Sequence, residues 1–130
     1  MHLIDELAAL RSPMPKPGSV TPADCYDDAC EQTEQQRKDD ALHLEAASDG
    51  LEMDPLLLAL NDARAEKESA DARIRRLLAY GREFHGTRPY RLEDLARAAG
   101  YTVSGVRTAY AEDEISDVAA EINRKPNRSV

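Results

Sequence analysis

At 130 residues the chain has room for one domain with extensions, and it carries a formal net charge of −8. Phe84 is its single phenylalanine, aromatic residues make up 5%, and tryptophan is absent, so its core must be small and aliphatic. No apolar run approaches the roughly 20 residues of a membrane helix, and the opening MHLIDELAALR is too acidic and too short in its apolar part for a secretory signal. These features give an expected cytoplasmic location.

The first element is a short amphipathic helix over His2 to Leu10, with Leu3, Ile4, Leu7, Ala8 and Leu10 on one side. A helix of this kind either packs on its own protein or lies in the groove of another. SPMPKPGSVTP follows, a proline-rich linker without helix or ladder capability. Thr21, Pro22 and Asp24 form a helix start, and helix is expected over Ala23 to Ala47. Its middle, EQTEQQRKDD, has no apolar face, so it is either a solvated helix or ordered only on binding. Cys25 and Cys30 are five apart and no standard metal-ligand spacing is present, which reads as two reduced thiols and no metal site.

Ser48, Asp49 and Gly50 are expected to break the chain before a restart at Asp54 and Pro55, a cap followed by a first-turn proline. From there to about Phe84 no proline intervenes, which permits a helix of roughly 30 residues, or about 45 Å at 1.5 Å per residue. Leu56, Leu60, Ala63, Ala70, Ile74, Leu77 and Phe84 alternate at spacings of three and four, with Lys67 and Gly81 as the two poor seam positions. Such a seam packs on the rest of the domain or joins two chains as a homodimer through residues 56–84. The end of this helix carries Arg73, Arg75, Arg76 and Arg82, and Arg88 and Arg91 follow in HGTRPYR, where Gly86 ends the helix and Pro89 fixes a turn. From Met1 to Ala63 there are 4 basic and 14 acidic residues; from Arg64 to Tyr110, 10 basic and 6 acidic; from Ala111 onward, 3 basic and 5 acidic. The basic surplus therefore coincides with the next stretch.

That stretch is LEDLARAAGYTVSGVRTAY, Leu92 to Tyr110. Leu92, Leu95, Ala96 and Ala99 mark one face of a helix that Gly100 stops, and Thr102 caps a second helix with Val103, Val106, Ala109 and Tyr110 at helical spacing. Leu95, Ala99, Tyr101, Val106 and Ala109 are expected to close a small core, with Ala96 where the two helices cross. The pattern LxxLAxxAGxxxxxV resembles the helix-turn-helix superfamily of DNA-binding proteins and is similar to the headpiece of LacI-type repressors. The likeness is confined to this motif, which stands near the C-terminus with no sugar-binding domain after it. The resemblance implies a recognition helix whose outward residues, Thr102, Val103, Ser104, Arg107 and Thr108, enter the major groove of duplex DNA. Their chemistry suits that role, since Arg107 can bond a guanine edge bidentately, the hydroxyls can reach bases or phosphates, and Val103 can meet a thymine methyl. Arg73, Arg76, Arg88 and Arg91 are the expected phosphate contacts.

AEDEISDVAAEI then reads as a further helix with Ile115, Val118, Ala119 and Ile122 on one face, and NRKPNRSV reads as a flexible tail over 124–130. No alternating β-branched run appears, so the expected fold is all-α: an acidic, partly flexible arm over 1–53, then a long helix leading into a tri- or tetra-helical helix-turn-helix bundle over 54–123. No glycine-rich phosphate loop, metal-ligand set, or nucleophile with a matched base is visible, so neither an enzyme nor a cofactor is expected. The expected function is sequence-specific transcription regulation, in a protein whose alanine and arginine content suits a bacterial, phage or plasmid source. The competing expectation is a non-catalytic adaptor, antitoxin or inhibitor acting through a protein partner of the acidic arm.

Overall fold

A computed structural model describes residues 2–127. The fold is all-α: six α-helices and one short 3-10 turn, with no strand among the described residues. The chain divides into two compact units, Met1–Ala65 and Glu66–Val130, and the division falls inside the longest helix. No helix is long and apolar enough to cross a membrane.

In the first unit, α1 (Leu3–Arg11) packs against α2 (Tyr26–Leu51), burying Ala8. The proline-rich segment between them runs back along α2 without helix or strand. It is held by Arg37, whose Nε donates to the Ser12 carbonyl at 2.8 Å, and by the Tyr26 hydroxyl, which donates to the Pro15 carbonyl at 3.0 Å. Ser12 Oγ also donates to Asp40 Oδ2 at 3.2 Å. The 3-10 turn Ala23–Cys25 leads into α2, which buries none of its residues. Gln35 and Gln36 amides donate to Asp39 and Asp40 carboxylates four residues on, at 3.0 and 2.8 Å, the side-chain pairing that supports a solvated helix. The expected break at Ser48 to Gly50 is absent: α2 runs through these residues and stops at Glu52, which takes a left-handed conformation at φ 52°. The Met53 amide bonds the Ser48 carbonyl at 3.1 Å, and the Ser48 hydroxyl bonds the Met53 carbonyl at 2.6 Å, so this serine closes the helix instead of interrupting it.

The long helix α3 (Pro55–Glu83) begins where its cap and proline predict: Asp54 Oδ1 accepts from the Leu57 amide at 3.1 Å. Its apolar seam does not stay on one surface. Leu56, Leu60 and Leu77 are exposed, Ile74 is half-buried, Phe84 is fully buried, and the buried leucines are Leu58 and Leu78, both off the seam.

In the second unit, α3 serves two small cores through consecutive residues. Leu78 packs with Ala96 of α4 (Leu92–Ala99) and Val106 of α5 (Val103–Ala109); Ala79 packs with Phe84 and with Ile115 and Val118 of α6 (Glu112–Ile122). Tyr110 borders both. Arg75 Nε lies 3.4 Å from Glu114 Oε1, tying α3 to α6. Within the expected tail, the Asn127 amide donates to the Glu83 carbonyl at 2.6 Å, its side-chain nitrogen to the Gly86 carbonyl at 2.5 Å, and Arg124 Nη2 to the Phe84 carbonyl. These are the open carbonyls at and just past the end of α3, which have no partner inside the helix.

Candidate nucleic-acid interface

The α4 to α5 connection is built by two residues. Gly100 stands at φ 74° and ends α4, and the Tyr101 amide closes onto the Ala96 carbonyl at 2.8 Å. Thr102 then starts α5, its Oγ1 accepting from the Gly105 amide at 2.8 Å. Two short helices are thereby folded over a shared core whose centre, Val106, is fully buried, with Leu92, Leu95, Ala99, Tyr101 and Ala109 packed around it as the sequence predicts. Gly81 of α3 lets this pair approach closely. A Cβ there would stand 3.2 Å from Leu95 Cδ2 and 3.7 Å from Tyr90 Cδ1.

The exposed side of α5 presents Ser104, Arg107 and Thr108, three and four residues apart and therefore neighbours on one face, with Thr102 exposed at its start. Nothing among the described residues pairs with the Arg107 guanidinium. Thr108 Oγ1 bonds back weakly to the Ser104 and Gly105 carbonyls at 3.3 and 3.4 Å, and the Thr102 hydroxyl keeps a proton to donate beyond its capping bond. Val103 departs from expectation. It is half-buried and packs on the Leu78, Ala96 and Val106 cluster, because a residue three before the buried Val106 shares its face.

The four arginines expected at phosphates fall in different settings. Arg73 and Arg88 are exposed. Arg91 is exposed but pairs with Glu93 Oε2 at 3.1 Å, an exposed ion pair of small worth that a phosphate can displace. Arg76 is half-buried in a shallow groove with Asp117, Ala120 and Glu121, facing the acidic side of α6 rather than α5. Arg82 is engaged in structure: its Nη1 donates to the Tyr90 carbonyl at 2.8 Å, beside a Tyr90 amide bonded to the Gly81 carbonyl at 2.9 Å and a tilted His85–Tyr90 ring contact at 4.4 Å. The sequence pattern did not single out Arg97, a further exposed cation in the last turn of α4. A signal was present, since Arg97 lies outside the apolar set Leu92, Leu95, Ala96 and Ala99.

The last helix of the unit is acidic. Glu112, Asp113, Glu114, Asp117 and Glu121 are all on α6, with no basic residue in that helix. Glu114 accepts the Ala111 amide at 3.0 Å. That bond, with a further one from its own amide and the nearby Arg75, holds its carboxyl below the ordinary glutamate range. Among the described residues no three His, Cys, Asp or Glu side chains are grouped to hold a metal ion, and Cys25 and Cys30 are free thiols. Comparison with known protein families, with curated proteins and with solved structures gives no match.

Proposed function

We propose that this chain is a non-catalytic, cytoplasmic helix-turn-helix protein that binds duplex DNA sequence-specifically and regulates transcription, with α5 entering the major groove. The observation that carries the reading is the two-sidedness of α5: Val103 and Val106 anchor it, while Ser104, Arg107 and Thr108 lie together on its exposed side. A short helix fixed in this way holds its outward side chains in register with base edges. Arg107 reads a base, Ser104, Thr102 and Thr108 supply hydroxyl contacts, and Arg88, Arg91 and Arg73 position the module on phosphates. Val103 supports the helix from behind, and Arg76 is left to α6.

The test is selection of bound fragments from randomised duplexes, then titration of the enriched duplex at several salt concentrations. An enriched site, a steep salt dependence, and a loss of about 1–3 kcal/mol for Arg107→Ala at that site are expected. No enrichment, or an Arg107→Ala protein that binds its site as tightly as the parent, removes α5 from the groove.

A second reading, capture of a partner protein by the acidic unit, is favoured by the exposure of Leu42 and Leu51 on α2 amid its carboxylates. Deleting Met1 to Asp49 distinguishes the two: partner capture is lost under this reading, and DNA affinity is kept or raised under the first.

A further inference from the structure

We infer that the start of α3, within the first unit, is a docking surface for one basic amphipathic helix of a partner protein. The inference rests on the partner-capture reading above, to which it adds a surface and the chemistry of what binds there, and it asks nothing of DNA binding. α3 opens with PLLLAL, Pro55 to Leu60, apolar on every side. A helix that is apolar all round needs cover all round, and the first unit covers one side of this one. Leu58 is buried at 8%, while Leu56, Leu57 and Leu60 are 45, 55 and 57% exposed. Leu60 stands four residues from Leu56 and three from Leu57, with exposed Ala63 three further on, so these four are neighbours on the side away from Leu58. Lone exposed leucines are ordinary on a protein surface, whereas adjoining ones mark a contact.

Charge selects the occupant. From Asp39 to Ala63, the second half of α2 and the first turns of α3, there are seven carboxylates and no lysine or arginine. Arg11 pairs with one of them, Asp40, at 3.8 Å. Exposed Glu52 and Asp54 stand just ahead of Leu56 in the chain, and exposed Asp62 just before Ala63. Such a segment repels duplex DNA and an anionic lipid surface, and a second copy of the chain brings the same carboxylates to it. A partner with lysine or arginine beside its own apolar stripe is attracted instead. The backbone selects the partner's form. Among the described residues no strand offers an edge to an extended peptide, so what α3 presents is side chains at helical spacing, which apolar residues of a facing helix meet at i, i+3, i+4 and i+7.

The test uses the full chain and a synthetic peptide of leucine and lysine, long enough for about five helical turns, with leucines at i, i+3, i+4 and i+7. Fluorescence anisotropy is expected to show saturable binding that weakens as salt rises. The same composition with its leucines spread around the helix is expected to bind about tenfold more weakly, and a version with glutamate for lysine not to bind. Leu60→Lys sets a cation within the stripe and is expected to lower affinity about tenfold. Leu10→Lys puts the same charge at an exposed position of α1, in the same unit, and is expected to keep the parent's affinity. Circular dichroism of the variants keeps loss of helix from passing as loss of binding. No binding of the first peptide overturns the inference. So do equal binding of the spread peptide, a Leu60→Lys protein as tight as the parent, or an equal loss from Leu10→Lys. Sedimentation showing a dimer that Leu60→Lys abolishes gives the stripe to a second copy and overturns it as well. The wider partner-capture reading keeps its own test in the deletion of Met1 to Asp49, so the two fail separately.

Discussion

Gly100 and Thr102 were readable from the sequence because their work is local. A left-handed residue after an apolar stripe, then a hydroxyl three residues before an amide that needs an acceptor, define the turn without reference to the rest of the molecule. Each should therefore respond singly. Gly100→Ala, placing a Cβ at φ 74°, is expected to cost about 1–2 kcal/mol, and Thr102→Ala about 1 kcal/mol through the lost cap. Urea unfolding of the two variants checks both, and a parental midpoint for Gly100→Ala would show that the turn relaxes. Val103 and Arg76 were less readable for a shared reason. The direction of a side chain depends on which neighbour takes the face beside it, and the sequence does not state that Val106 is the residue fully buried or that α6 lies along Arg76.

Among the elements, α3 was legible at its start and close to its end, since Asp54 and Pro55 open it and no proline follows Pro55 within it. The end of α2 was not. Gly50 costs a helix about 1 kcal/mol relative to alanine, a weak signal, and the bonds between Ser48 and Met53 that set the real terminus are formed only once the helix has continued. The start of α6 depends on Glu114 in place of a polar cap, because Ala111 has no side-chain acceptor to offer. Its lowered carboxyl pKa fixes the sign of a pH effect. The stability that Glu114 contributes is fully present above the ordinary glutamate pKa and is lost as pH falls through the depressed folded value. Glu114→Gln has no charge to lose, so its stability deficit relative to the parent is expected to shrink across that acid window. Denaturant unfolding at a series of pH values measures it; a deficit constant with pH would mean that the carboxylate charge contributes nothing to the fold.

For the whole chain, the helical class and the absence of strands among the described residues followed from composition and period, whereas long-range ties did not. Nothing in NRKPNRSV announces that Arg124 and Asn127 bond carbonyls some 40 residues earlier, because backbone acceptors have no sequence signature. Truncation after Asn123 removes the bonds to Glu83, Phe84 and Gly86 and is expected to lower stability by about 2 kcal/mol, from two or three net hydrogen bonds of roughly 1 kcal/mol each. Thermal unfolding of the truncated chain tests this, and an unchanged midpoint would make the tail a passive extension.

The bond between Asn127 and Glu83 also bears on how the protein is made. Asn127 is synthesised after α4, α5 and α6, so the Glu83 carbonyl gains this partner only once all three of those helices have left the ribosome.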